Sequence, residues 1–242
     1  MAHPTATIKQ GDIFHTNNNG ECIVIEYHNF NNVEIEFLDT GFRVTTAANQ
    51  LRNGNVKDLL LPLVYNVGYL GGTKFSKKNN YKLYNLWEAM LQRCYGNKKY
   101  YAYIGCRVSK RWHNFQTFCK DIIKMPNWNT PGFELDKDLR VLGNKVYGRK
   151  YCSFVPQEVN AFNSNFFIPR AQKLPKGVKP NGKGYRAVIS IKNKQVHLGT
   201  YSSPEIAHQV YKQAKQKRGN QLVKLYRNKL HIDVVSNLLN LK

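Results

Sequence analysis

The chain has 242 residues, enough for one large domain or two to three small ones, and carries a formal charge of +22 from 37 Lys and Arg against 15 Asp and Glu. It contains no run of 18 apolar residues, which excludes a spanning helix of the usual kind. No secretory signal is recognised, and the five cysteines (Cys22, Cys94, Cys106, Cys119 and Cys152) are odd in number without a CxxC pair, as expected of reduced thiols in a cytosol.

The charge is unevenly placed. Residues 1–70 hold 4 basic against 7 acidic side chains, residues 71–169 hold 17 against 6, and residues 170–242 hold 16 against 2. So strong a bias, with aromatics at 12%, is the electrostatic footprint of a nucleic-acid binder that grips its polyanion with the back two thirds. The expected fold class is α+β in several domains: a small β-rich domain over residues 1–72, a central domain over 73–169 and a C-terminal domain over 170–242.

Taken in chain order, residues 7–70 read as short strands. Ile23-Val24-Ile25 and Val33 to Phe37 are β-branched and alternating, and Asn17 to Gly20, Asn29 to Asn32 and Asp39-Thr40-Gly41 punctuate them as turns. These predict a small antiparallel barrel, with Gly68, Gly71 and Gly72 starting a linker. Its acidic balance argues against direct contact with a duplex, and leaves a homodimer contact, a host-protein contact or a cap as its role.

Between residues 81 and 125, Tyr84, Trp87, Met90 and Leu91 fall on one face of a helix that has Arg93 near its end. Phe115, Phe118, Ile122 and Ile123 predict a second amphipathic helix starting after Trp112. Both aromatic stripes read as core. A zinc site from Cys94, Cys106, Cys119 and Cys152 would lack the usual paired spacing.

Residues 176–214 give the clearest pattern. Tyr185, Ala187, Ile189 and Ile191 alternate with Arg186, Val188, Ser190 and Lys192, a strand with one buried and one more polar face. Asn193-Lys194 forms a tight turn into a second strand, Gln195 to Tyr201. A helix then begins at Ser203 with Pro204 in its first position, or one residue earlier with Ser202 and Glu205 in capping-box spacing, and its apolar stripe is Ile206, Ala207, Val210, Tyr211 and Ala214. A sheet covered by a helix on one side leaves Arg186, Lys192, Gln195 and His197 on its free face or rim.

Gly177-Val178, Tyr185-Arg186-Ala187, His197 to Tyr201, Glu205 and Ala207 together resemble the AP-two domain of plant ethylene-response factors, which also occurs in phage and bacterial HNH nucleases. That resemblance covers about 40 residues and implies a three-stranded sheet lying in the major groove of duplex DNA. Arg186 and Lys192 would then touch DNA, with Lys176, Lys194 and His197 as further contacts. A β-ribbon fits that groove, and Arg can bond guanine through two hydrogen bonds.

The middle segment is similar to phage and bacterial HNH proteins in Tyr84 to Trp87, Arg93-Cys94-Tyr95, Tyr103 to Cys106, Arg111-Trp112-His113, Leu135-Asp136, Gly143-Asn144, Tyr147, Tyr151-Cys152 and Asn160. It implies a hairpin-and-helix core in which Asp136 and Asn160 hold one Mg²⁺ or Mn²⁺, in an endonuclease of the homing kind that nicks or cleaves duplex DNA in a host-cell cytoplasm. Lys137 stands where such cores carry a histidine. With an ordinary pKa near 10.4 it would act as a cation on phosphate rather than as a base. His113 is the one histidine available in the segment as a base, Asn144 would hold the hairpin or assist the chemistry, and Arg93 and Arg111 are candidate DNA contacts. The alternative reading is a catalytically silent DNA-binding protein derived from such a nuclease, acting as a regulator or against host defence.

Overall fold

A computed structural model describes residues 7–96, 101–163, 174–192 and 194–240. The chain is mixed α+β and divides into two compact units, Met1–Leu91 with His113–Phe118, and Gln92–Trp112 with Cys119–Lys242.

In the first unit, β1 (Ile13–His15), β2 (Glu21–Asn29), β3 (Asn32–Phe37) and β4 (Arg43–Thr46) form an antiparallel meander in that order. The alternation seen in the sequence buries Cys22 and Val24 on β2 and Val33, Ile35 and Phe37 on β3, over a core completed by Ile8, Val56 and by Ala48 and Leu51 of α1 (Ala48–Arg52). The expected barrel is corrected here: among the described residues the sheet is open. Its edges, β1 and β4, are three and four residues long beside a nine-residue β2, so they offer too short a ladder to close on one another.

The glycines expected to start a linker are packed instead. A Cβ on Gly68 would stand 2.5 Å from Leu91 Cδ1, and one on Gly71, whose φ is +70°, would stand 2.2 Å from the Asn114 side chain. They permit close approach rather than freedom. The buried Gln116 stitches the same stretch, its Nε2 donating to the carbonyls of Leu70, Gly72 and Phe75 at 3.0 Å each while its Oε1 accepts from the Phe75 N–H at 2.9 Å.

The predicted aromatic helices form. α2 (Tyr81–Tyr95) buries Leu83, Tyr84, Trp87, Met90 and Leu91, and α3 (Phe115–Ile122) buries Phe115, Phe118, Cys119 and Ile122; Ile123, expected on the same stripe, is exposed. Within the first unit the Phe115 ring lies 5.2 Å from that of Trp87 and 5.4 Å from that of Tyr84, the tilted and edge contacts that aromatic pairs prefer.

In the second unit two short two-stranded sheets carry the centre. β5 (Arg107–Val108) runs parallel to β7 (Val146–Tyr147), and β6 (Phe133–Asp136) pairs antiparallel with β8 (Ser153–Pro156), which leads directly into α4 (Gln157–Asn163). Beyond residue 174, β9 (Val178–Asn181), β10 (Gly184–Ile191) and β11 (Lys194–Tyr201) form an antiparallel sheet with β10 in the middle. The predicted turn residue Asn193 lies outside the described residues. α5 (Pro204–Tyr226) starts as its sequence dictates, with Ser203 Oγ accepting from the Ile206 N–H and Pro204 in the first turn.

α5 serves two cores. Its first half sets Ala207 against Val178 and Ala187 of the three-stranded sheet, while Ile206, placed on the apolar stripe by spacing, is exposed. Its second half sends Leu222 and Val223 into a cluster with Leu139, Val155 of β8, Val159 of α4, and Val234, Val235 and Leu238 of α6 (Ile232–Leu239). Arg218 of α5 pairs with Glu158 of α4, both side chains more than four-fifths buried, and the Tyr226 hydroxyl donates to the same carboxylate at 3.4 Å. Glu158→Ala leaves the Arg218 charge uncompensated in a dry place; the expected cost is about 3 kcal/mol in urea unfolding. A loss under 1 kcal/mol would show the pair to be solvated.

Candidate metal centre and nucleic-acid interface

β6, β8 and α4 make a hairpin followed by a helix. Asp136 ends β6, opposite Ser153 in register, and its Oδ1 accepts from the backbone N–H groups of Asp138 at 3.0 Å and Leu139 at 2.6 Å. The carboxyl is 8% exposed. Burial, with the negative charge of Asp138 added, pushes its pKa up to about 7 against the pull of the two N–H groups.

Glu134 stands two residues earlier and therefore on the same face of β6, about 7 Å along the strand. Asn160 of α4 donates its Nδ2 to Glu134 Oε2 at 2.7 Å. The structure thus brings Asn160 to β6 at Glu134, one pleat from Asp136. Glu134 was missed from the sequence, although the period-two rule on a strand ending in Asp136 marks it.

The oxygen chemistry here fits a hard divalent cation. Asp136, Glu134 and the Asn160 amide offer oxygens, and Ser153 Oγ, across the register from Asp136, is buried with no hydrogen-bond partner among the described residues. Cys94, Cys106, Cys119 and Cys152 are not gathered into a group of three or more ligand atoms among the described residues. Among the described residues the one close group of three His, Cys, Asp or Glu ligand atoms is the exposed Glu26, His28 and Glu34.

Lys137 is 8% exposed, with Nζ 3.0 Å from Asp138 Oδ2 and 5.7 and 5.9 Å from the ring centres of Tyr103 and Tyr147. Burial pushes its pKa down, but the Asp138 hydrogen bond and charge, then Cys106 and Asp136, outweigh it and leave the amine above its ordinary value. It is a cation at neutral pH, paired with the Asp138 carboxylate. Arg93 lies over the same two rings, 5.7 Å from each centre, with a buried Nε. That guanidinium braces the aromatic wall behind Lys137.

The other central residues separate by role. Asn144 donates Nδ2 to the carbonyls of Lys137 at 2.6 Å and Val146 at 2.8 Å, and its Oδ1 accepts from the Val146 N–H at 3.2 Å. Both ends of its amide are engaged in closing the loop, so it holds the hairpin. His113 belongs to the first unit, where its carbonyl accepts from the Tyr69 N–H at 3.0 Å, while Asp136, Lys137 and Asn160 belong to the second. Arg111 is held on Asp121 through Nε at 2.8 Å and an Nη at 3.0 Å.

On the three-stranded sheet the alternation falls as read: Ala187 and Ile189 are buried and Arg186, Ser190 and Lys192 are exposed. Across the open face Arg186 lies opposite Lys179 and Thr200, and Val188 opposite His197. Arg186 donates to Asn181 Oδ1 at 2.8 Å, Lys179 to Gln195 Oε1 at 2.9 Å, and His197 Nε2 lies 3.4 Å from Thr200 Oγ1. Lys192, at φ +49°, and Lys194 rim the face. Lys176 stands apart, on the helix side. Its carbonyl meets His208 Nδ1 of α5 at 2.9 Å, and its amine lies beside that of Lys215, whose pKa burial and the Lys176 charge push down to about 8. Arg186→Ala should relax sequence preference if the guanidinium reads a base, by about 1–3 kcal/mol at one position of a randomised duplex. An equal loss over all sequences would make Arg186 a phosphate contact.

Compared with protein-family models, curated proteins and solved structures, the chain returns no match. Among the described residues no helix is long and apolar enough to cross a membrane.

Proposed function

We propose that this chain is a metal-dependent DNA endonuclease of the HNH kind, homing-like and phage-type in design, carried to duplex DNA by its C-terminal sheet. The observation that supports it most is the strand-strand-helix arrangement that ends β6 on a buried carboxylate and returns Asn160 to the same strand. Asp136 and Asn160, with Glu134 beside them, would hold Mg²⁺ or Mn²⁺, which would stabilise charge developing on a scissile phosphate and its leaving oxygen. Lys137 neutralises charge on the phosphate, Asn144 fixes the hairpin, and Glu134 orients the Asn160 amide. Arg186, Lys192, Lys194 and His197 contact the duplex.

A second reading, a silent DNA binder descended from such a nuclease, is favoured by Lys137, whose amine is held above its ordinary pKa by Asp138 and so cannot act as a base. The deciding experiment incubates supercoiled plasmid and mixed genomic DNA with the protein in Mg²⁺, Mn²⁺ or EDTA. Metal-dependent nicks select the enzyme, and tight binding to a selected target without nicks selects the silent binder.

A further inference from the structure

The short parallel pair β5–β7 brings two basic stretches side by side. Arg107 pairs with Val146 and Val108 with Tyr147, the Arg107 N–H donates to the Lys145 carbonyl, and the Ser109 N–H donates to the Tyr147 carbonyl. Arg107, Lys110 and Arg111 therefore neighbour Lys145, Arg149 and Lys150, and all six are exposed.

One acid anchors this patch from below. Asp121 is 2% exposed and takes Arg111 at 2.8 and 3.0 Å, the Trp112 indole N–H at 2.9 Å, and Arg149 at 3.6 Å. Burial pushes its carboxyl up, yet these cations and the indole outweigh burial and hold it below the usual carboxylate range, so it stays charged at neutral pH. The Arg111 and Arg149 side chains are nevertheless 57% and 58% exposed. Each guanidinium is tethered at one edge and open at the other, and one buried negative charge serves two positive ones. Solvated surface arginines would lose side-chain freedom on gripping a ligand; these have already lost much of it.

We infer that Arg111 and Arg149, oriented by buried Asp121, form a second DNA-contact site that takes the phosphodiester backbone of a duplex, independently of the three-stranded sheet. This rests on the DNA-binding reading above. Asp121 and Trp112 are positioning residues. The fork geometry of guanidinium suits phosphate oxygens, and no base recognition is required of it.

The test measures affinity of the full-length chain for a 30-base-pair duplex of mixed sequence across a KCl series. Arg149→Gln removes the looser tether and leaves Asp121 paired with Arg111, so the fold is kept; circular dichroism and thermal melting verify this. The slope of log K against log[KCl] should become shallower by about one for Arg149→Gln, as for one lost phosphate contact. Arg111→Lys, which keeps charge but not the fork, should weaken binding with the slope unchanged. Lys57→Gln in the acidic front segment should change neither. A wild-type slope in Arg149→Gln, with wild-type binding intact, overturns this site alone. No duplex binding by the wild type at any salt overturns it together with the proposed function.

Discussion

Asp136→Ala should abolish metal-dependent nicking of supercoiled plasmid, with a loss on the order of 10³-fold or more. The reasoning is electrostatic. Asp136 is the buried carboxylate at the end of β6, 8% exposed and fixed by two backbone N–H groups through one oxygen. A cation held there would supply several kcal/mol of charge stabilisation to a phosphoryl transition state, and about 1.4 kcal/mol is a factor of ten in rate. DNA affinity should change little in the same variant, because the open face of the three-stranded sheet, the proposed duplex contact, is untouched. Nicking retained within tenfold of wild type would remove Asp136 from the centre. Equal loss of nicking and binding would mean the variant had lost its fold.

The same carboxyl should govern stability as a function of pH. In EDTA, Asp136 has a folded pKa of about 7 against an ordinary 3.8. The folded state then holds the proton more tightly than the unfolded state between those values, so this group's contribution to stability falls as pH rises from about 4 to about 7 and is flat above. Asp136→Asn keeps an oxygen acceptor for the Asp138 and Leu139 N–H groups and cannot ionise. It should therefore melt higher than wild type at pH 8 in EDTA, with the difference closing toward pH 4. Millimolar Mg²⁺ at pH 8 should raise the wild-type melting temperature and leave Asp136→Asn unmoved, which reads cation binding without any DNA present. Identical melting curves at pH 8 in EDTA would mean that Asp136 is ionised and well solvated.

What the sequence revealed and what it hid follow from the range of the interactions. The strand at Tyr185 to Ile191 and the helix start at Ser203-Pro204 were legible because alternation and capping are local, each decided within a few residues. The hairpin was legible in part, through Leu135-Asp136 and Gly143-Asn144. Its pairing of Asn160 with Glu134 was not, since a hydrogen bond spanning 26 residues leaves no local mark beyond one more acid on a strand. Asp121 was hidden for the same reason: on α3 it reads as an ordinary helix acid, and only packing turns it under two arginines. The barrel failed differently. Strand content was correct, but closure depends on whether edge strands are long enough to meet, which alternation does not encode. The second half of α5 was passed over because its apolar residues Leu222 and Val223 are sparse among Lys, Arg, Gln and Asn.

That helix is 23 residues of unbroken turns, roughly 34 Å at 1.5 Å per residue, with Ala207 under the three-stranded sheet and Leu222 under the hairpin core. Sheet and hairpin are thus mounted on one axle. Their bearing about it is set by the residue count between the two seats, and one residue added near Gln213 would swing the sheet by about 100° and carry it 1.5 Å along. Were the sheet docked on a duplex as proposed, where each base pair also turns about its axis, such gearing would fix not only how far from the sheet the hairpin falls but which strand it faces.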